Sequence, residues 1–247
     1  MVEMIKEKEY FIHYYDTNQK LKLSVMSMMN YFQDIAFLQS DDREVGLDYY
    51  AENNVGWVLH QFEIRIKEYP VFKDKIILRT RPTSFLRFYA HREFEIFNER
   101  DDVIISADSI WIFVDTKTRK PKSVTEDLFK GYCITPGKNI LTKPPEPRKI
   151  EKPDYIKEFR IRFSDIDINN HVNNVSYVSW ALEALPVELL REKDIELVRI
   201  LFKKEINYGS IIKSQAQLLT EAGKTISLHS IVDDAGKDCC QIEIHWK

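Results

Sequence analysis

Asp167, Asn169 and His171 alternate within the stretch SDIDINNHVNNVSYVSWALEAL, Ser164–Leu185. A carboxylate, an amide and an imidazole stand two residues apart, directly ahead of an amphipathic segment. In extended backbone, alternate side chains share a face, so the spacing predicts three groups converging on one cavity. The N-terminus of the helix that follows offers unpaired N–H groups that favour negative charge. These are parts for hydrolysing an acyl bond: a base for water, donors for an oxyanion and an orienting group. On spacing alone, helix capping is the stronger explanation, because Asx residues are common before helices; Asn173 and Asn174 can cap by themselves. A metal site needs three or four convergent ligands. Asp167 and His171 supply two, and His13, His60, His91, His229 and His245 are scattered, so neither a metal nor a cofactor is expected.

The elements that must position these residues occur twice. An extended run at 10–15 precedes a helical pattern, Val25, Met28, Phe32 and Ile35, with Ser24 as its N-cap. Strand-like runs follow at 62–67, 75–80, 86–97 and 103–114. After the linker, an extended run at 158–163 leads to a second helical pattern, Val175, Val178, Leu182 and Leu185, and to strand-like runs at 197–208, 211–220, 225–232 and 240–246. An offset of 149 carries Asp16 to Asp165, Ser27 to Ser176, Tyr31 to Trp180 and Asp34 to Glu183. The repeated order of elements reads as an internal duplication. With one long helix per copy there are too few crossovers for parallel βαβ units, so the expected fold is α+β, an antiparallel sheet curled around each helix. Six of the nine prolines fall between Pro121 and Pro153, a stiff polar linker. The expected division is 1–130, 131–157 and 158–247. At the same offset Asn18, Lys20 and Lys22 replace Asp167, Asn169 and His171, so one active site per chain is expected. The first-copy helix carries Met26, Met28, Met29 and Phe32, mainly core, with adaptable methionines available to an acyl chain.

Composition narrows the class. The chain has 247 residues, 44% hydrophobic and 12% aromatic, enough for a packed core. A net charge of −3 gives no support to nucleic-acid binding. Cys133, Cys239 and Cys240 form no disulfide framework and no zinc spacing, which suits a reducing compartment. The N-terminal stretch shows no signal peptide and no run reaches membrane-span length. A cytoplasmic globular protein is expected.

The stretch FSDIDINNHVNNVSYVSWALEALP resembles the signature of the acyl–acyl-carrier-protein thioesterases of plants and bacteria. WVLHQFEIRIKEYPVFKDKI, SIWIFVDTKTRKP and ILFKKEINYGS resemble further segments of that family, so the likeness covers essentially the whole chain. It implies two tandem hotdog repeats and hydrolysis of fatty acyl thioesters on acyl carrier protein. The implied site is Asp167, Asn169, His171 and Glu205, with the first repeat forming much of the acyl tunnel. Many plant members carry cysteine directly after the glutamate; here Ile206 stands there, which favours water over a thiol nucleophile. Glu205 is then the general base and Asp167 orients His171 and Asn169. Asp167 as base, and an anhydride route through a carboxylate, stay open. The implied partner is acidic carrier protein, which Lys130, Lys138, Lys143, Arg148 and Lys149 could meet. An acyl-coenzyme A thioesterase and a non-catalytic acyl-binding hotdog protein are the alternatives, as monomer or homodimer.

Overall fold

A computed structural model describes residues 5–137 and 139–247; Lys138 and the first four residues of the N-terminal stretch read above lie outside them. The chain forms two compact units, one running to His60 and again from Ile66 to Pro144, the other comprising Gln61–Arg65 and Pro145–Lys247. The first contains β1 (Lys6–Phe11), α1 (Val25–Asp41), α2 (Leu47–Asn53), most of β2 (Val55–Ile66), β3 (Lys75–Leu86), β4 (Tyr89–Phe97), β5 (Val103–Asp115), β6 (Lys120–Pro121) and α3 (Glu126–Gly131). Its strand order is β1-β3-β4-β5-β2, with β6 on β5. The second contains β7 (Tyr155–Arg160), α4 (Asn174–Glu183), α5 (Val187–Glu192), β8 (Ile195–Phe202), β9 (Ile211–Glu221), β10 (Lys224–Asp233) and β11 (Asp238–Trp246). Here the order is β8-β11-β10-β9-β7, and Gln61–Arg65 pairs antiparallel with β8.

Each unit is a hotdog repeat, one main helix laid on an antiparallel sheet. Ser24 caps α1 by accepting the Ser27 N–H at 3.1 Å. The helix buries Met28, Met29, Phe32 and Ile35, and the Phe32 ring meets Phe94 of β4 at 4.8 Å. The expected methionine cluster is thus largely core, Met28 and Met29 being fully buried. α4 packs on β9, β10 and β11 through Tyr177, Val178, Trp180 and Ala181. Among the described residues no helix is long and apolar enough to cross a membrane.

Three expected strands end early, each for a visible reason. The 10–15 run breaks after Phe11, because the Asp16 carboxylate accepts the His13 N–H at 3.0 Å and folds 14–16 into a 3-10 turn. The 158–163 run breaks after Arg160 in the same way, with Asp165 and Arg162 as the pair. The 197–208 run stops at Phe202: the Lys203 and Lys204 N–H groups both donate to the Cys239 carbonyl, at 2.9 and 3.1 Å, a bulge-like irregularity that turns the chain out of the ladder. The 86–97 run is two strands, divided by Arg87 at φ 57.

The proline-rich stretch is pinned rather than free. Gln61 donates to the Pro145 carbonyl at 3.0 Å, and the Arg148 N–H donates to Glu243 at 2.9 Å. That contact explains β11, whose Gln241 and Glu243 alternate with apolar residues yet are both buried. Glu63, Arg199 and Glu243 lie directly opposite one another on adjacent strands. Arg199 pairs with both acids, Arg65 with Glu63, and His245 and Arg148 with Glu243. Burial pushes the Glu243 carboxyl up, but hydrogen bonds from His245 and Arg148 outweigh it and hold the group below its usual range. Arg199→Met strips the shared cation from two buried carboxylates. It should lower unfolding free energy by about 3 kcal/mol in urea titration, the low end for a broken buried pair because Arg65, Arg148 and His245 remain.

Candidate active site

Asp165 anchors the segment ahead of α4. Its carboxylate accepts the Arg162 N–H at 2.8 Å and the guanidinium at 2.8 and 3.2 Å, while its carbonyl accepts the Asn173 N–H at 2.8 Å. An isolated bridge joins Ile166 to Val172. Inside it the Asp167 N–H donates to the His171 carbonyl at 2.8 Å and the Asn170 N–H to the Asp167 carbonyl at 3.1 Å. The Asp167 carboxylate accepts the Asn169 N–H at 2.8 Å, an Asx turn. Asn170 takes φ 61, a left-handed conformation that asparagine tolerates. The expectation of an extended segment is therefore corrected: 167–171 is a tight turn, because Asp167 bonds to its own backbone instead of leaving it free to extend. Capping falls to Asn173, whose side chain accepts the Val175 N–H at 3.1 Å, so Asp167 and Asn169 are not needed as caps.

The four expected residues meet as two pairs. The His171 Nε2 lies 3.4 Å from the Glu205 carboxylate, long for a hydrogen bond but within the looseness of an unliganded site. The Asn169 Nδ2 reaches the Asp167 Oδ2 at 3.5 Å. Asp167 holds His171 through the backbone, and Glu205 is the carboxylate against the ring; that changes the expected orienting role of Asp167.

Glu205 stands in the loop after β8, not in a strand. The loop is clamped on both sides of it. The Val172 N–H donates to the Ile206 carbonyl at 3.0 Å, the Tyr177 hydroxyl of α4 donates to the Lys204 carbonyl at 3.4 Å, and the Lys204 ammonium donates to Asp233 at 2.5 Å. Sequence reasoning did not single out Tyr177 or Lys204, since Tyr177 lies outside the expected apolar pattern of its helix and only the folded loop shows what its hydroxyl meets. Ile206 is buried and carries no thiol. Cys239 and Cys240 are buried too, and burial pushes the Cys239 thiol up to about 11 and Cys240 well above its ordinary value. Both remain thiols at neutral pH, poor nucleophiles.

The first repeat builds the same turn without the chemistry. At the offset of 149, the Asn18 N–H donates to the Lys22 carbonyl at 2.8 Å, the Leu21 N–H to the Asn18 carbonyl at 2.9 Å, and the Lys20 N–H to the Asn18 side chain at 2.9 Å. Leu21 takes φ 57, matching Asn170. Where His171 faces Glu205, Lys22 lies over the Tyr69 ring, 5.5 Å from its centroid. The turn is thus a property of the fold, and the acid–imidazole pair is what the second repeat adds.

Among the described residues, His91, Glu93 and Asp108 offer ligand atoms within 4.8 Å of one another. They lie in the first repeat, whereas all four site residues belong to the second. Arg81 bonds Glu93 at 2.8 Å and His91 meets Asp108 at 3.1 Å, so the group already forms a cross-strand polar network. In the basic cluster, Lys130 pairs with Glu126 at the surface, Lys143 covers the Tyr89 ring at 4.2 Å, and Arg148 is held by Glu221 and Glu243; Lys149 is exposed.

Because asparagine makes this turn in the first repeat, Asp167→Asn should keep it in the second. Thermal and urea unfolding should change by less than about 0.5 kcal/mol, while Asp167→Ala, which loses the Asx bond, should cost about 1 kcal/mol. Any loss of activity in Asp167→Asn then reports the missing charge.

The acyl-ACP thioesterase N-terminal domain matches residues 3–132, and the acyl-ACP thioesterase C-terminal domain matches residues 148–247. Among curated relatives, a chloroplastic oleoyl-acyl carrier protein thioesterase of Coriandrum sativum is 25% identical over 85% of this chain and 61% of its own length. A chloroplastic acyl-[acyl-carrier-protein] hydrolase of Cuphea viscosissima is 22% identical over 99% of this chain and 62% of its own. The chain thus spans about three fifths of these relatives. An acyl-ACP thioesterase structure from Bacteroides thetaiotaomicron shares the fold with TM-score 0.86 at 22% identity, covering 100% of both chains. The structure of a 12:0-ACP thioesterase from Umbellularia californica does so with TM-score 0.85 at 16% identity, covering 99% of this chain and 94% of that one. With both of its halves matched, the chain belongs to the acyl-ACP thioesterase family.

Proposed function

We propose that this chain hydrolyses fatty acyl thioesters on acyl carrier protein, releasing free fatty acid and carrier thiol, with Asp167, Asn169, His171 and Glu205 of the second repeat as its catalytic residues. The observation that carries the reading is the His171–Glu205 contact, standing where the otherwise superimposable turn of the first repeat has Lys22 and Tyr69. Under the same reading the first repeat serves acyl-chain binding rather than chemistry.

A thioester has an activated carbonyl and a leaving thiol of ordinary pKa roughly 8.5, so the difficult tasks are making the nucleophile and stabilising the oxyanion. Glu205 takes a proton from water as the water oxygen adds to the carbonyl carbon. The oxyanion is met by the Asn169 amide, which the Asp167 carboxylate holds, and by N–H groups at the start of α4. Collapse breaks the carbon–sulfur bond, and the thiolate takes a proton from the His171–Glu205 pair. The tight clamp on Glu205 keeps the base aimed, the part of catalysis that comes from positioning. The buried, unpaired Cys239 and Cys240 suit a reducing compartment such as the cytoplasm.

Thiol release from acyl-carrier-protein thioesters and matched acyl-coenzyme A tests the reading. Wild type should prefer the carrier-bound form. His171→Ala and Glu205→Gln should each lower kcat by about 100-fold or more. Turnover indifferent to both substitutions would overturn the site, and equal use of coenzyme A would move the substrate class.

A further inference from the structure

We propose that the exposed apolar rim of the second repeat, Phe163, Ile168 and Tyr208 with Ile156 and Ile211, is the surface on which the carrier protein docks. This rests on the thioesterase reading above and names where its macromolecular substrate sits.

The rim surrounds the candidate site. Ile168 lies between Asp167 and Asn169 on the turn itself and is 73% exposed. Phe163 and Tyr208, 83% and 65% exposed, meet edge to face at 6.3 Å; Phe163 lies two residues before the anchoring Asp165 and Tyr208 three residues after Glu205. The β7–β9 ladder leads into this pair, since the Ile161 N–H donates to the Ser210 carbonyl at 2.9 Å. One face of that ladder presents Ile156 and Ile211, both exposed. Contiguous exposed apolar groups with a polar border mark interaction surfaces.

The first repeat separates function from inheritance. Its Tyr14 and Phe72 form the same edge-to-face contact, at 6.2 Å, so the aromatic pair alone belongs to the fold. These three apolar positions do not recur. Gln19 stands in place of Ile168, and Glu7 and Lys75 stand in place of Ile156 and Ile211. Glu7 bonds Arg79 at 2.6 Å and Lys75 pairs with Glu9 at 3.6 Å. The first repeat exposes other apolar groups, Phe11 on that ladder face and Tyr15, Leu21 and Val71 around its turn; the second ladder face, beside the acid–imidazole pair, carries Ile156 and Ile211 among Glu158, Arg160 and Lys213.

Charge selects the occupant. Arg160, directly opposite Ile211, and Lys213, directly opposite Glu158, are exposed, and neither cation forms an ion pair among the described residues, which leaves the face net positive by one. An apolar centre with unspent cations fits an acidic partner whose tethered arm must reach Glu205. A second copy of this chain would bring the same cations against themselves.

The test uses the full chain, with Phe163→Ser, Ile168→Ser, Arg160→Glu and, as the internal control, Tyr14→Ser. Steady-state kinetics compare an acyl-carrier-protein thioester with the N-acetylcysteamine thioester of the same acyl group; titration of fluorescently labelled holo carrier protein reads binding without turnover. The three rim variants should raise KM and Kd for carrier protein about tenfold, leave kcat and the small-thioester kcat/KM within twofold, and melt like wild type. Tyr14→Ser should change nothing. Unchanged carrier binding in the rim variants, or equal loss with both substrates, would overturn the docking surface. So would a wild-type dimer that Ile168→Ser dissociates in sedimentation, which would give the rim to a second copy. Carrier binding that depends on the rim, without hydrolysis of either thioester, would uphold docking and sink the catalytic reading.

Discussion

The second repeat depends on a short closed circuit of backbone hydrogen bonds. The Asp165 carbonyl takes the Asn173 N–H and the His171 carbonyl takes the Asp167 N–H, fixing seven residues between a 3-10 turn and the first turn of α4. Once those bonds form, the direction of His171 is set by backbone rather than by side-chain packing. The same circuit reaches the far side of the site, because the Val172 N–H donates to the Ile206 carbonyl. One strand end and one helix start are thus tied to the loop that carries Glu205. A carboxylate and an imidazole separated by 34 residues are held together without either being buried in the core.

Such a turn is costly to invent and simple to copy. Both repeats pay nothing extra in side-chain chemistry for it: Asn18 and Asp167 accept the same N–H two residues on, and Leu21 and Asn170 accept the same left-handed strain. What distinguishes the copies is charge. Lys22 over Tyr69 is a contact between a cation and an aromatic face, whereas His171 lies against the Glu205 carboxylate. Duplication supplied the geometry twice, and divergence left the acid–imidazole pair in one copy.

This division explains what the letters could and could not tell. The two main helices were legible as apolar segments, with Ser24 marking the start of α1, because capping and periodicity are local. In α4 the buried face is Tyr177, Val178, Trp180 and Ala181, of which only Val178 belongs to the expected pattern, and the short helices α2, α3 and α5 carry no such pattern. The strands were legible as runs but not at their ends. β8 stops at Phe202 for a carbonyl on Cys239, 37 residues away, and no local pattern encodes a distant acceptor. The site residues were visible as types and spacing, but the reason first given for their convergence was the pleat of a strand, and the real cause is the Asx bond of Asp167. An asparagine or aspartate two residues before a polar N–H reads equally as strand, cap or turn until the fold chooses. The roles of Tyr177 and Lys204 were hidden for the same reason as the strand ends.

The alternation at 240–246 carries the sharpest lesson about buried charge. Gln241 and Glu243 alternate with apolar residues, as on a half-solvated strand, yet both are covered. Covering a carboxylate is unfavourable unless cations and donors replace its water. Here Arg199 bridges Glu63 and Glu243 across adjacent strands, and Arg148 arrives from the proline-rich stretch with both its N–H and its guanidinium. The apparent polar face is therefore the receiving surface for the linker, and the linker is ordered by the charge it neutralises. A ladder of opposite charges has one register in which Arg199 meets both acids; slipping β8 by one residue would turn Arg199 to the other face and take the shared cation from Glu63 and Glu243. The same pairs that cover the linker face thereby fix the strand register from which the Glu205 loop departs.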